Sequence, residues 1–208
     1  MDNLIVKALR ISVGAPVGVL NESKIRRLQE VFNGDFKVMV QEDQNLIFIN
    51  PEKGSNLVLT PRQITIGFDG DNFIFDFEWL GHEMSKVFDV LLLDKKGSPL
   101  VHLIGHYPSN GISSMEKSLE AFLPGQKETL KKAWPNLMGL GLRFLEKHGN
   151  DIWEFKLEPF IRDPRFYFLE GIFNHQEVPL DVIPQLAEKA YTYFKENLWG
   201  IARDYFIR

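Results

Sequence analysis

The chain has 208 residues, a net charge of −4 at pH 7, 44% apolar and 25% charged residues, and no cysteine. The cysteine count excludes disulfides, thiolate zinc sites, iron–sulfur clusters and cysteine nucleophiles. The acidic balance offers no general attraction to nucleic acid or to an anionic membrane. The N-terminal residues do not resemble a signal peptide, and no run reaches the roughly 18 apolar residues of a membrane span. We therefore expect a cytoplasmic protein without membrane contact.

The first half of the sequence predicts a strand, a helix, several antiparallel strands and a second helix. A strand is predicted over 4–13, with four apolar residues on one face, Ile5, Leu9, Ile11 and Val13. Asn21 is a good N-cap for an amphipathic helix that reaches Phe32. Alternating apolar residues between turn signals predict four short strands, at 36–40, 46–50, 56–60 and 63–68. Residues 73–79 fit both strand and helix periods, and we expect an extended lead-in and a helix from about Phe77 to Asp94.

The second half repeats this order. It predicts a strand over 100–107, and a helix to Leu123 that begins with a capping box of Ser113 and Glu116. A short helix over 126–134 follows. A three-stranded meander is then predicted at 137–147, 151–161 and 165–173. A long amphipathic helix over 183–206 closes the chain and is expected to cover the meander.

This repeated order predicts an α+β protein made of two tandem units, each with an antiparallel sheet covered by a long helix. The units are expected at 1–96 and 97–208, packed together as one compact body. Sequence identity between the halves is negligible, so the duplication is inferred from element order alone. Each unit resembles those of TATA-binding-protein-like and helix-grip folds, which host unrelated activities.

A second resemblance rests on two short motifs in the second half. These are Gly141-Leu142-Arg143-Phe144 on a predicted strand and the corner from Glu158 to Pro164, Glu-Pro-Phe-Ile-Arg-Asp-Pro. Together with the tandem layout, they resemble a sporadically distributed family of uncharacterised prokaryotic proteins. The resemblance implies the fold and transfers no catalytic residues.

The motifs of catalysis and metal binding are missing from the sequence. His102 and His106 lie four positions apart, which chelates a metal on a helix but spans about 13 Å on a strand. There is no Gly-x-Ser-x-Gly and no P-loop. Gly139 and Gly141 lack the helix that a dinucleotide fingerprint requires, and they favour sheet curvature or close approach of a covering helix. We assign no catalytic residue, metal ligand or cofactor.

Charged residues cluster around the predicted corner between the last two strands. Arg143 and Arg162 could bind a carboxylate or phosphate through their guanidinium groups. Glu158 and His106 complete the set of candidate binding residues. The structural alternative is a turn at Asp163-Pro164 surrounded by surface ion pairs.

Seventeen phenylalanines give the chain a large apolar aromatic content. They favour a packed core, and the alternatives are a cavity for an apolar ligand between sheet and helix and a subunit interface. Phe166-Tyr167-Phe168 places aromatic residues on both faces of one strand. One of those faces needs cover beyond a single helix, so we expect a second layer or a homodimer.

The sequence therefore predicts a non-catalytic binding or protein-interaction module that forms a homodimer. One alternative is a small-molecule-binding protein or enzyme with a pocket between sheet and long helix, for an apolar or anionic ligand. Another is nucleic-acid binding through the sheet face, which the acidic balance disfavours.

Overall fold

Alternation of apolar and polar residues between turn signals produces the strands of an α+β structure. The computed structural model describes residues 4–70, 75–111, 113–198, 200, 201 and 204. The strands are β1 (Ile5–Gly14), β2 (Val38–Glu42), β3 (Asn45–Asn50), β4 (Ser55–Thr60), β5 (Gln63–Asp69), β6 (Lys96–Gly97), β7 (Pro99–Pro108), β8 (Leu142–His148), β9 (Asp151–Pro159), β10 (Phe166–Asn174) and β11 (Val178–Pro179). The α-helices are α1 (Glu22–Phe32), α2 (Phe77–Leu91), α3 (Ser114–Phe122), α4 (Lys127–Ala133) and α5 (Ile183–Tyr193).

Nine strands form one antiparallel sheet in the order β2-β3-β4-β5-β1-β7-β10-β9-β8. The N-terminal strand β1 lies inside this sheet, between β5 and β7. Its pairing with β7 sets Arg10 opposite His102 and joins strands from the two halves of the sequence. The two short strands β6 and β11 pair separately. Backbone hydrogen bonding is thus continuous from one edge strand to the other.

Helices α1, α2 and α5 pack on one face of this sheet. The Phe32 ring of α1 lies 5.3 Å from Phe48 of β3, between ring centroids. Trp79 of α2 lies 5.8 Å from Phe68 of β5. Phe194, directly after α5, is fully buried above the strands β7 and β10. Helices and inward-facing strand residues therefore build one continuous hydrophobic core.

Most predicted strands are confirmed within about two residues of their ends. The predicted helix from Phe77 is also confirmed, but it ends at Leu91 rather than Asp94. Leu92 adopts a left-handed conformation with φ of 55°, which terminates the helix. Residues 71–74 of the expected lead-in lie outside the described residues.

The predicted strand over 137–147 is wrong in its first five positions, because β8 begins only at Leu142. The segment before β8 passes close to the end of β9. A Cβ on Gly141 would lie 2.9 Å from the Cβ of Glu158, and one on Gly139 would lie 3.0 Å from Pro159 Cγ. These glycines therefore permit close approach to β9 and α3, and not to the C-terminal helix.

Of the single helix predicted over 183–206, residues 199, 202, 203, 205 and 206 lie outside the described residues. The described part is helical, but it departs from one regular α-helix. α5 ends at Tyr193 and continues as a π-helical turn over Phe194–Leu198. The glycines beneath it are Gly105 of β7 and Gly171 of β10. Cβ atoms added there would lie 3.1 Å and 2.7 Å from the Phe194 ring. Sequence periodicity marked the buried stripe, but it did not show the wider turn.

A β-bulge at Lys7 divides β1 into two registers. Val6 pairs with Gly105, and Ala8 pairs with the adjacent residue Ile104. Because one extra residue reverses the alternation of side chains, Ile5 lies on the opposite face from Leu9 and is 40% exposed. The prediction that Ile5 shares the face of Leu9 is therefore wrong.

The N-caps of α1 and α3 differ in a way that can be measured. Asn21 Oδ1 accepts a hydrogen bond from the Lys24 backbone N–H at 3.0 Å, as predicted. Ser113 is the N-cap of α3, but its side chain makes no capping hydrogen bond. We expect Asn21→Ala to lower the free energy of unfolding by about 1 kcal/mol, measured by urea denaturation. Ser113→Ala is the matched control and should change it far less, so equal losses would contradict the difference.

Among the described residues, no helix combines the length and the apolar character needed to cross a membrane.

Candidate functional site

The side of the sheet opposite the helices carries the outward-pointing residues of all nine strands, and we call it the open face. Its side chains alternate with the core residues along each strand. In β7, for example, Val101 and Leu103 are core residues, while His102 and Ile104 point to the open face and are half-buried. This face combines apolar and charged groups along all nine strands.

A chain of ion pairs and hydrogen bonds runs across the open face, and we call it the ionic stripe. It has two branches that meet at the centre of the sheet, where Arg10 of β1 and His102 of β7 are direct neighbours. Its members lie on seven adjacent strands: Asn56, Asp69, Arg10, His102, Glu170, Lys156, Glu154 and Arg143.

The branch on β5 and β1 centres on Asp69. Its carboxylate accepts hydrogen bonds from Arg10 Nη2 at 2.5 Å and from Asn56 Nδ2 at 2.7 Å. Asp69 thereby uses both of its oxygens.

The other branch centres on two carboxylates that are each about 15% exposed, Glu170 and Glu154. Glu170 lies 2.8 Å from His102 Nε2 and also accepts a hydrogen bond from Lys156 Nζ. Glu154 pairs with Arg143 Nε at 2.7 Å and with Lys156 at 3.5 Å. Each of these carboxylates therefore has two positive or hydrogen-bonding partners.

The partners of Glu154 and Glu170 in the stripe favour the charged form of these two carboxylates. Hydrogen bonding to Arg143 lowers the pKa of Glu154 below its ordinary value. Burial tends to raise the pKa of Glu170, but hydrogen bonds from Lys156 and His102 outweigh burial and lower it. The stripe contains three carboxylates, Asp69, Glu170 and Glu154, and three cations, Arg10, Lys156 and Arg143. With histidine counted as neutral, its formal net charge is zero.

Aliphatic residues flank the ionic stripe. One row of directly paired positions runs across all nine strands and has five aliphatic and four polar members: Ile152, Leu100, Val58, Ile47 and Val40, with Lys147, Asn174, Ser12 and Thr65. We call it the aliphatic row. Ile152 of this row is 54% exposed, and Leu145 of β8, in the row of Glu154 and Arg10, is 67% exposed. A partner that docks on this face would bury the aliphatic side chains, and the neighbouring charges of the ionic stripe already have partners within the chain.

Two predicted site residues lie in one row of the open face, but they do not touch. In this row Glu158 pairs with Phe168, and Phe168 pairs with His106. The Phe160 ring contacts the His106 ring in a tilted arrangement, with centroids 4.4 Å apart and planes at 38°. The general acid–base pair that the sequence left open for His106 and Glu158 therefore has an aromatic ring between its members.

The two predicted arginines lie apart. Arg143 belongs to the ionic stripe through Glu154, while Arg162 is exposed in the turn between β9 and β10. The ion pair of this turn joins Arg165 and Asp163, and the Arg165 guanidinium lowers the pKa of Asp163 to about 2. The structure thus divides the predicted cluster between the open face and the turn.

The sequence reasoning missed Arg10, Asp69, Lys156 and Glu170. Each is a charged residue at an alternate position of a strand whose other alternate positions are apolar. That pattern marks outward-facing charges and was available in the sequence. What joins them is the pairing of β1 with β5 and β7, which no local pattern contains.

A separate cavity of about 550 Å³ lies between β8, β9 and the π-helical turn. Its apolar walls include the rings of Phe144, Phe155 and Tyr193, and its rim carries Glu196. Tyr193 donates a hydrogen bond to Glu146 at 2.6 Å, which lowers the pKa of that carboxyl. The sequence predicted a pocket between the sheet and the long helix, whereas this cavity lies beside the end of α5 and the residues that follow it.

Comparison with known proteins does not assign this chain to a family. No protein-family model matches the chain, and no curated protein matches it. A solved structure described as "Structure of S. pombe Pct1 RNA triphosphatase in complex with the Spt5 CTD" is 7% identical over 98% of this chain and 83% of that chain. Its TM-score is 0.12, so the likeness carries no argument about fold or function.

Proposed function

We propose that this protein is a non-catalytic interaction module whose open face docks another protein. The observation that carries the proposal is a nine-stranded face with exposed aliphatic residues around a neutral ionic stripe. Such a face buries apolar area on docking, and its charges already have partners, so their desolvation leaves none of them unpaired. The carboxylates of the stripe are held by cations and do not serve as general acids or bases.

We also propose that the chain is a duplicated structure with units at 1–96 and 97–208. The strand order supports this, because β5-β4-β3 follow β1 outward on one side as β10-β9-β8 follow β7 on the other. Each half ends in a helix on the same face, α2 and α5. This arrangement agrees with the resemblance to TATA-binding-protein-like and helix-grip units and to the uncharacterised prokaryotic family.

The charge distribution argues against nucleic acid as the partner of the open face. Polyanion binding releases counterions when free cations meet phosphates. Arg10, Lys156 and Arg143 are instead neutralised by carboxylates of the same face. We therefore expect no retardation of DNA or RNA at physiological salt.

Site-specific photocrosslinking in the native host tests docking through the open face. A photoreactive benzoylphenylalanine would replace Leu145 or Ile152, which are exposed on that face. We expect each variant to form a covalent adduct with a protein, to be identified by mass spectrometry as a defined chain.

Val19 and Leu92 provide matched controls, because they are exposed at 74% and 84% away from the open face. Adducts that form equally from the controls, or no protein adducts from Leu145 and Ile152, would contradict docking through this face.

A second candidate function is binding of a small apolar molecule in the cavity under the π-helical turn. The observation that favours it is the aromatic lining by Phe144, Phe155 and Tyr193. Native mass spectrometry of gently purified protein tests it. An additional mass that disappears on denaturation and is reduced in Phe155→Ala would support the candidate, while a bare chain mass would remove it.

A further inference from the structure

We propose that the partner docked on the open face is a second copy of this chain. The inference rests on the proposed function and specifies its partner. The two sheets face one another about a twofold axis that runs parallel to the strands, between β10 and β7. Such an axis sets β8 against β5 of the partner, β9 against β1, and β10 against β7.

The registers of the sheet bring opposite charges together in this arrangement. Arg143 and Asp69 lie in one cross-strand row, on β8 and β5. The axis therefore sets Arg143 against Asp69 of the partner subunit. Glu154 and Arg10 lie in the neighbouring row, on β9 and β1, so Glu154 meets Arg10 of the partner subunit. Each contact occurs twice by symmetry.

Side-chain sizes are complementary in the same arrangement. Lys156 lies opposite Ala8 of the partner subunit, and Leu145 lies opposite Gly67 of the partner subunit. In the aliphatic row, Ile152 lies opposite Ser12 of the partner subunit. Large residues over small ones let two sheet faces interdigitate at the roughly 10 Å separation of packed sheets.

Two nearby positions of the axis bring like charges together. An axis along β10 sets Glu170 against its own copy. An axis between β7 and β1 sets Glu170 against Asp69 of the partner subunit, again twice. Like charges facing each other in an interface oppose association, so the charge pattern disfavours both of these positions. An axis along β7 sets Lys156 against Asp69 of the partner subunit but leaves Glu154 and Arg143 without an opposite charge across the interface. The axis between β10 and β7 therefore makes more opposite-charge contacts than these alternatives.

The overlapping area is sufficient for a stable dimer. Six strands about 4.8 Å apart and four rows about 6.8 Å apart cover roughly 800 Å² of each chain. A standard protein–protein interface buries about this area on each partner. The remaining strands β4, β3 and β2 extend beyond the overlap.

Disulfide trapping tests the proposed register, because the chain has no cysteine of its own. The variant carries Asp69→Cys and Arg143→Cys. Within one chain these positions are five strands apart, about 24 Å, which is far beyond the roughly 7 Å reach of a disulfide. We expect mild oxidation to convert more than half of the protein to a covalent dimer, seen by nonreducing electrophoresis.

The matched control combines Val40→Cys with Arg143→Cys, since Val40 is exposed on β2 outside the proposed overlap. It should give at least about fivefold less covalent dimer. Equal trapping in both variants, or none in the first, overturns the register.

Native mass spectrometry of the wild-type chain gives an answer that does not depend on cysteine substitution. We expect twice the 24.1 kDa chain mass, and at least tenfold weaker association for Arg143→Glu. A wild-type monomer at 50 µM overturns self-association. If the photocrosslinks from Leu145 then lead to a different protein, docking through the open face stands and only the second copy is wrong.

Discussion

Replacing Phe194 with alanine is expected to lower the free energy of unfolding by about 4 kcal/mol, within the range for a fully buried phenylalanine. The Phe194 ring has no exposed surface and lies over two glycines at the centre of the sheet, Gly105 and Gly171. Its loss leaves a cavity that glycine backbones cannot fill. Urea denaturation of the purified variant measures the effect.

Gly171 supplies a coupled test of the same contact. A Cβ at this position would lie 2.7 Å from the Phe194 ring and 2.9 Å from Phe173, so Gly171→Ala alone should cost about 2 kcal/mol. In the Phe194→Ala background the added methyl has room, and the cost should fall to less than half. A cost that is the same in both backgrounds would show that Phe194 does not pack on Gly171.

Replacing Lys86 with alanine destabilises the protein by about 2 kcal/mol at pH 7.5, because a buried carboxylate loses its cation. Lys86 Nζ donates to Glu83 Oε1 and to Asp35 Oδ2, each at 2.8 Å. Glu83 lies on α2 and is only 1% exposed. Its Oε2 is buried without a hydrogen-bond partner among the described residues.

The loss on Lys86→Ala depends on pH in a defined direction. Burial raises the pKa of Glu83 above its ordinary value. The pKa of a glutamate in the unfolded chain is about 4.3. Because the pKa of Glu83 in the folded protein is higher, its contribution to stability is complete below about pH 4.3 and is lost as the pH rises through the folded-state pKa. Lys86→Ala should therefore be most harmful above the folded pKa, and its cost should shrink toward pH 4.

Thermal and urea unfolding between pH 4 and 8 measure this dependence. Glu83→Gln removes the charge and should reduce the cost of Lys86→Ala at pH 7.5 by more than half. Lys95→Ala breaks the exposed pair with Asp89 and should cost less than about 0.5 kcal/mol. A cost of Lys86→Ala that stays constant with pH would mean that Glu83 does not carry the effect.

Local patterns predicted most elements because each is encoded over a few neighbouring residues. Alternation between turn signals located the strands, and Asn21 and Phe32 mark the two ends of α1. The errors occur where backbone geometry depends on distant packing. Three such features depend on contacts with distant parts of the chain: the bulge at Lys7, the loop before Leu142 and the π-helical turn at Phe194.

The candidate site was predicted only in part. Arg143, Glu158 and His106 were predicted as binding residues, and they are strand residues of the open face. The aromatic residues on both faces of the strand at Phe166-Tyr167-Phe168 indicated that a second layer or a partner covers one of these faces. Tyr167 is fully buried in the core, whereas Phe168 is half-buried on the open face. The ionic stripe could not be predicted, because it depends on which distant strands become neighbours.

The position of β1 has a consequence for synthesis on the ribosome. This strand emerges first, yet Ile11 pairs with Ile66 on one side and with Val101 on the other. Translation adds roughly 5–20 residues per second, so the edge of β1 that pairs with β7 stays unpaired for on the order of 5–20 s, until β7 emerges. An unpaired edge can associate with other chains, and bulges and lysines on edges oppose this association. Lys7 is a lysine at a β-bulge, and the bulge lies on the edge of β1 that later pairs with β7.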